Sequence, residues 1–210
     1  MPTNDSNRLP ASFTAFGGTR LLATGPIEAI VLPAQQWLAA KAGPLLILDD
    51  LSGQPIDLDL RGSEADALER LKEHPGFRRP GDGEVPRAGR GRPKLGVVPR
   101  EVTLLPRHWD WLNEQPGGAS VTLRKLVEGA MKRGQGADRA RRAREAAFRA
   151  LGVLAGDRPG YEEVSRALTR REYGAIAPLT DDWPPDVRDY LRALVERAHQ
   201  AEQEAEHEPA

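Results

Sequence analysis

The chain has 210 residues, 39% of them hydrophobic, with 21 Gly and 18 Pro and a formal net charge of −1. This length holds one large domain or two small ones with tethers, and the composition points to small packed modules joined by linkers. The absence of Cys excludes a disulfide framework, thiolate zinc sites and a cysteine nucleophile. The opening "MPTNDSNRLPASF" has no apolar core behind a charge, and no run reaches the roughly 18 apolar residues that cross a bilayer, so a cytoplasmic location with no membrane partner is expected.

In chain order, "FTAF" (Phe13 to Phe16) and "RLLAT" (Arg20 to Thr24) read as short strands around the turn Gly17-Gly18. "PIEAIVLPAQQWLAAKAG" reads as a helix with Pro26 early and Gly43 as its stop, and Pro33 predicts a kink or split. "PLLILDDLSGQPIDLDL" predicts a hairpin turning at Ser52-Gly53, with Ile56, Leu58 and Leu60 alternating on its second arm. "SEADALERLKEH" predicts a helix capped by Ser63, with Ala65, Leu68 and Leu71 at helical spacing. Beyond Gly134 to Asp138, "RARRAREAAFRALGVLAG" is a helix with a Phe148, Leu151, Leu154 stripe. "GYEEVSRALTRREYGAIAPL" gives one or two short helices, and a last helix starts near Pro185 and frays into a Glu-rich tail. The fold class expected is therefore α+β and multi-module. It comprises a small β-hairpin/helix module over 12–74, a flexible basic Gly/Pro/Arg linker over 75–99, a strand-helix-helix unit over 100–134, a helical module over 138–201 and a disordered acidic tail over 202–210.

Charge is segregated along the chain. Residues 1–76 hold 6 basic and 10 acidic residues, residues 77–136 hold 12 and 6, and residues 137–210 hold 12 and 15, giving balances of −4, +6 and −3. A basic centre between acidic ends points to an anionic partner for the centre, or to a solvated Arg-rich linker.

Residues 100–133 carry the most specific pattern. Val102 and Leu104 alternate with Glu101 and Thr103, as in a half-buried strand. Pro106 opens a helix in which Leu105, Trp109 and Leu112 share a face, "PGG" at 116–118 ends it, and Ser120 caps a second helix. There Leu123, Leu126, Val127, Ala130 and Met131 form a complete apolar stripe. Trp111 lies off the first helix's apolar face and is the better interface candidate. A unit this small cannot bury that surface alone, whereas pairing its strand with a second copy would make a ribbon and a shared core, so a homodimer through Val102, Leu104, Trp109, Trp111, Leu112, Leu123, Leu126 and Val127 is expected.

This order resembles the ribbon-helix-helix fold of bacterial repressors and antitoxins, through "VTL", the Trp109/Leu112 pair and "GASVT". The resemblance implies a ribbon in the major groove with Thr103 facing base edges, and a phosphate held at Ser120 by the start of the second helix. Glu101 departs from it, since an acidic side chain is unfavourable beside phosphates; a unit that only dimerises is the alternative. Just upstream, Arg90-Gly91-Arg92-Pro93 with Lys94 resembles an AT-hook core, in which Gly lets the backbone lie deep in an A·T-rich minor groove and the arginines line its floor. Arg87, Arg100 and Arg107 add to that basic surface.

Taken whole, the chain resembles an uncharacterised bacterial family, domain of unknown function 2239, through "TAFGGTRLLATGP", "LILDDLSGQPIDLDLRG", "RGRPKLGVVPREVTLLPRHWDWLNEQPGGASVTLRKLVE" and "WPPDVRDYL". That resemblance implies no established activity. Asp49, Asp50, Asp57 and Asp59 suggest a cation site or a hairpin's solvent face, of which the second is the simpler reading. The four His are scattered, and no nucleotide-binding loop or nucleophile elbow is present. The expectation is a non-enzymatic DNA-binding regulator without cofactor or metal. The alternative is an antitoxin-like scaffold whose end modules bind protein, and a small-ligand sensor in the N-terminal module is a third, weaker reading.

Overall fold

Phe13 to Gly17 forms strand β1, and all of its residues are buried, the signature of a strand covered on both faces. The computed structural model describes residues 12–73 and 100–207. β1 pairs antiparallel with β2 (Arg20–Gly25) on one side and β3 (Leu45–Asp49) on the other, giving the order β2-β1-β3 with a bulge between Ala15 and Phe16. The helices are α1 (Ile27–Ala39), α2 (Glu64–Glu73), α3 (Pro106–Glu114), α4 (Gly118–Ala155), α5 (Tyr161–Arg170), α6 (Ile176–Leu179) and α7 (Pro185–His207), with a 3₁₀ turn at Tyr173–Ala175. One compact unit takes in the described residues 12–73 and 136–207, and a second takes in 100–135.

In the first unit, alternation along β1 divides the apolar side chains between two cores. Phe13 and Ala15 join Ile47 beneath Ile30, Val31 and Ala34 of α1 and Ala67 and Leu71 of α2. Phe16 joins Leu48 against Leu151 and Leu154 of α4, Leu168 of α5, Ile176, Trp183, and Val187 and Leu191 of α7. The sheet is thus a middle layer, and the N-terminal strands share a core with the C-terminal helices, which the sequence alone presents as separate modules.

Several local signals act as their chemistry requires. Ser63 and Asp66 cap α2 reciprocally: the Asp66 amide donates to Ser63 Oγ at 3.2 Å, and Ser63 N and Oγ donate to the Asp66 carboxylate at 3.0 and 2.7 Å. α1 is not split at Pro33. Ile30, Val31 and Ala34 around it are fully buried, and that packing offsets the lost backbone donor. The hairpin after β3 turns at Ser52-Gly53, but its second arm is no strand. It makes one bridge, Leu48 to Pro55, and a bond from Ile56 N to Ile47 O at 2.8 Å, then leaves the sheet with Leu58 and Leu60 buried and Asp57 outward. Pro55, which has no N–H, stands where a ladder would continue. The acidic end of α7 is helical through His207 rather than a frayed tail.

Gly53 fixes how this hairpin meets α4. Its φ is +67°, and a Cβ there would strike the backbone of Ala146, while Arg149 donates to the Ser52 carbonyl at 2.8 Å. Gly53→Ala is therefore expected to cost about 2–4 kcal/mol, read from the urea midpoint, through combined strain and overpacking. An unchanged midpoint would show that the hairpin does not seat on α4.

Candidate functional site

The first unit is latched by polar groups around Asp50, which is buried. Its carboxylate accepts from Ser12 Oγ at 2.7 Å and from the Tyr190 hydroxyl at 2.9 Å, and its carbonyl accepts from Arg197 at 2.7 Å. One turn before Tyr190, the Asp186 carboxylate accepts the Leu21 amide at 2.8 Å, and the Tyr190 ring stands edge-on to Phe16 at 5.3 Å. Asp186, Tyr190 and Arg197 thus place one face of α7 on the sheet. Asp49 is consumed in the adjoining turn, accepting from Leu51 N at 2.8 Å and Ser52 Oγ at 3.0 Å. Asp59 sits outside it, where hydrogen bonds from Arg61 hold its carboxyl well below the usual carboxylate range. These acids have donors from the chain itself. Among the described residues, no group of three His, Asp or Glu stands placed to hold a metal ion.

A second polar cluster joins the middle of α4 to the C-terminal end of α7. Glu202 is buried, takes an ion pair from Arg144 and a longer one at 3.5 Å from Arg171, and lies beside Tyr173. Arg139 pairs with Glu204 at 3.3 Å, and Arg141 with Asp138 and Glu145 at 3.0 and 3.1 Å. The basic run of α4 is therefore largely neutralised within its own unit. Open hollows lie on this unit among the described residues. One of about 520 Å³ lies over Leu38, Leu58 and the Asp59–Arg61 pair, and one of about 350 Å³ lies between Tyr173, Ile176, Arg192 and His199. Arg192, in the second, is already bound to Asp181 at 2.8 Å and to Thr180 at 2.8 Å.

The second unit has the opposite character. Residues 100–105 form neither helix nor paired strand, and Leu105 has extended backbone, φ −67° and ψ 150°. Pro106 occupies the first turn of α3. Gly117 and Gly118, with φ of +95° and +73°, make the tight turn into α4, which opens at Gly118; Ser120 lies inside its first turn rather than capping it. Gly118 N is engaged by the Gln115 carbonyl at 2.9 Å. Among the described residues 100–135 only Leu112 is buried, at 3% exposure. Leu104, Trp109 and Leu123 are half-buried, while Val102 at 53%, Trp111 at 49%, Leu126, Val127 at 54% and Met131 at 64% stand open. Arg100, Glu101, Thr103, Arg107 and Ser120 are exposed as well. Arg87, Arg90, Gly91, Arg92, Pro93 and Lys94 lie outside the described residues.

Sequence reasoning missed both polar clusters. Asp50 meets Tyr190 across 140 residues of chain, and only the paired "DD" before a turn hinted at a specific role.

These features describe a mixed α+β protein, mostly helical around a three-stranded antiparallel sheet. The chain belongs to the family described as an uncharacterized protein conserved in bacteria, DUF2239, whose model matches residues 12–205. Comparison with curated proteins and with solved structures finds no match. No helix among the described residues is long and apolar enough to cross a membrane.

The latch makes a pH prediction. Burial, with the Asp50 carboxylate beside it, pushes the Tyr190 phenol far above its ordinary 10.0, and burial beside Glu202 pushes Tyr173 up to about 12. A phenol raised on folding stabilises fully below its unfolded pKa, and that stability is lost as pH climbs past it. The urea midpoint should hold up to about pH 9 and fall above about pH 10. Tyr190→Phe should cost about 1–3 kcal/mol near neutral pH, by leaving Asp50 short of a donor, and should flatten the alkaline fall. A variant with wild-type stability would remove Asp50–Tyr190 from the latch.

Proposed function

We propose that the protein is a non-enzymatic, dimeric DNA-binding regulator. Residues 101–104 of two copies pair as a ribbon for the major groove, and Arg90-Gly91-Arg92-Pro93 lies in the adjacent A·T-rich minor groove. The observation that carries the reading is the second unit's exposed apolar surface: among the described residues 100–135 one buried side chain, Leu112, stands against open Val102, Trp111, Leu126, Val127 and Met131. An extended segment and two helices so poorly covered need a partner, and a second copy supplies a matching extended segment and stripe.

Charge supports DNA as the ligand of that dimer. Residues 77–99 hold 6 basic and 2 acidic residues, and residues 100–135 hold 6 and 4, so the arm contributes most of the positive balance. Arg100 and Arg107 are exposed, as are Arg124, Lys125, Lys132 and Arg133 along α4. The amides of Ala119, Ser120 and Val121 lie in the first turn of α4, where a backbone phosphate is held. The exposed Glu101 favours the second reading, an antitoxin-like scaffold in which the central unit only dimerises.

Fluorescence anisotropy on A·T-rich and G·C-rich duplexes across a salt series separates the two. DNA binding predicts a steep salt slope and A·T preference, with Arg90→Ala/Arg92→Ala weakening binding roughly 10- to 100-fold and erasing that preference. No binding at low salt would leave the scaffold.

A further inference from the structure

Helix α4 changes character along its length. Gly136, Ala140, Ala146, Ala147, Ala150, Leu151, Leu154 and Ala155 are buried, whereas no residue between Gly118 and Gln135 is. That uncovered half contains Gly129 and Gly134. A Cβ at Gly134 would meet open space, and one at Gly129 would touch only the end of the flexible Arg133 side chain at 3.3 Å. Packing therefore does not call for glycine at either place. What glycine does there is loosen the helix, because it gives up more backbone freedom in a helix than any other residue. Gly152 in the same helix also faces open space, but the neighbouring Leu151 and Leu154 are buried in the core and anchor the backbone. An uncovered helical stretch of this length is marginal in water even without glycines.

We infer that α4 is a conditional helix: while the Leu126, Val127, Met131 stripe is uncovered, its turns from Gly129 to Gly136 open and close, and the turns beyond Ala140 stay shut. The segment is where the chain passes from one unit to the other. A second copy covering the stripe shifts it toward the closed state, so dimerisation is coupled to helix formation in this segment. The inference rests on burial and glycine placement and stands whether or not the protein binds DNA.

Hydrogen–deuterium exchange on the full chain carrying Val127→Glu, which puts a charge on the stripe and keeps it uncovered, tests this. Amides of 129–136 should exchange at least roughly 30-fold faster than those of 141–151. Adding Gly129→Ala and Gly134→Ala should slow them roughly tenfold or more, while Gly152→Ala leaves them unchanged. Even protection along the whole helix, or fast exchange that the two alanines fail to slow, would overturn the inference.

Discussion

A buried carboxylate holds the first unit together. Asp50 lies at the end of β3, takes hydroxyl donors from Ser12 and Tyr190, and presents its carbonyl to Arg197. A polar side chain out of water is tolerated only when such donors replace its hydration. The donors come from Ser12, the residue just before β1, and from α7, so satisfying Asp50 brings an N-terminal and a C-terminal segment to one sheet. Phe16 and Leu48 supply the apolar reason for the same meeting, since the face of the sheet they occupy needs cover. Hydrophobic burial drives the layers together, and the directional bonds to Asp50 select which turn of α7 lies against the strands.

The second unit shows what happens without such closure. Its helices have good local signals, a proline in the first turn of α3 and a glycine turn into α4, but among the described residues 100–135 a single chain buries only Leu112. The two halves of α4 make the contrast within one helix: Leu151 and Leu154 are buried, Val127 and Met131 open. A helix is made durable by what covers its apolar face more than by its own propensity. Surface left open on one stretch, next to a basic sequence, is the physical basis for the proposal that the centre of the chain binds a partner.

Sequence reading succeeds here where the signal is local. The strands around Gly17, the cap at Ser63, the start of α3 at Pro106 and the start of α7 at Pro185 each follow from neighbouring residues. It falls short where distant contacts decide. Asp50 looks like one acid of a hairpin until Tyr190 reaches it. The Glu-rich end of α7 looks soluble and loose until Arg144 meets Glu202. Pro33 looks like a break until the sheet buries Ile30, Val31 and Ala34 around it. "GQGAD" reads as a boundary and the two units divide within it, yet a single helix passes through, which no local signal announces.

Sedimentation equilibrium of the intact chain beside its Val127→Glu variant addresses the central claim most directly. If the open stripe and residues 101–104 are completed by a second copy, the wild-type chain sediments at twice the mass of one chain and the variant, folded by circular dichroism, at the mass of one. A wild-type chain that remains a monomer at micromolar concentration, or a variant that dimerises equally well, would contradict the account.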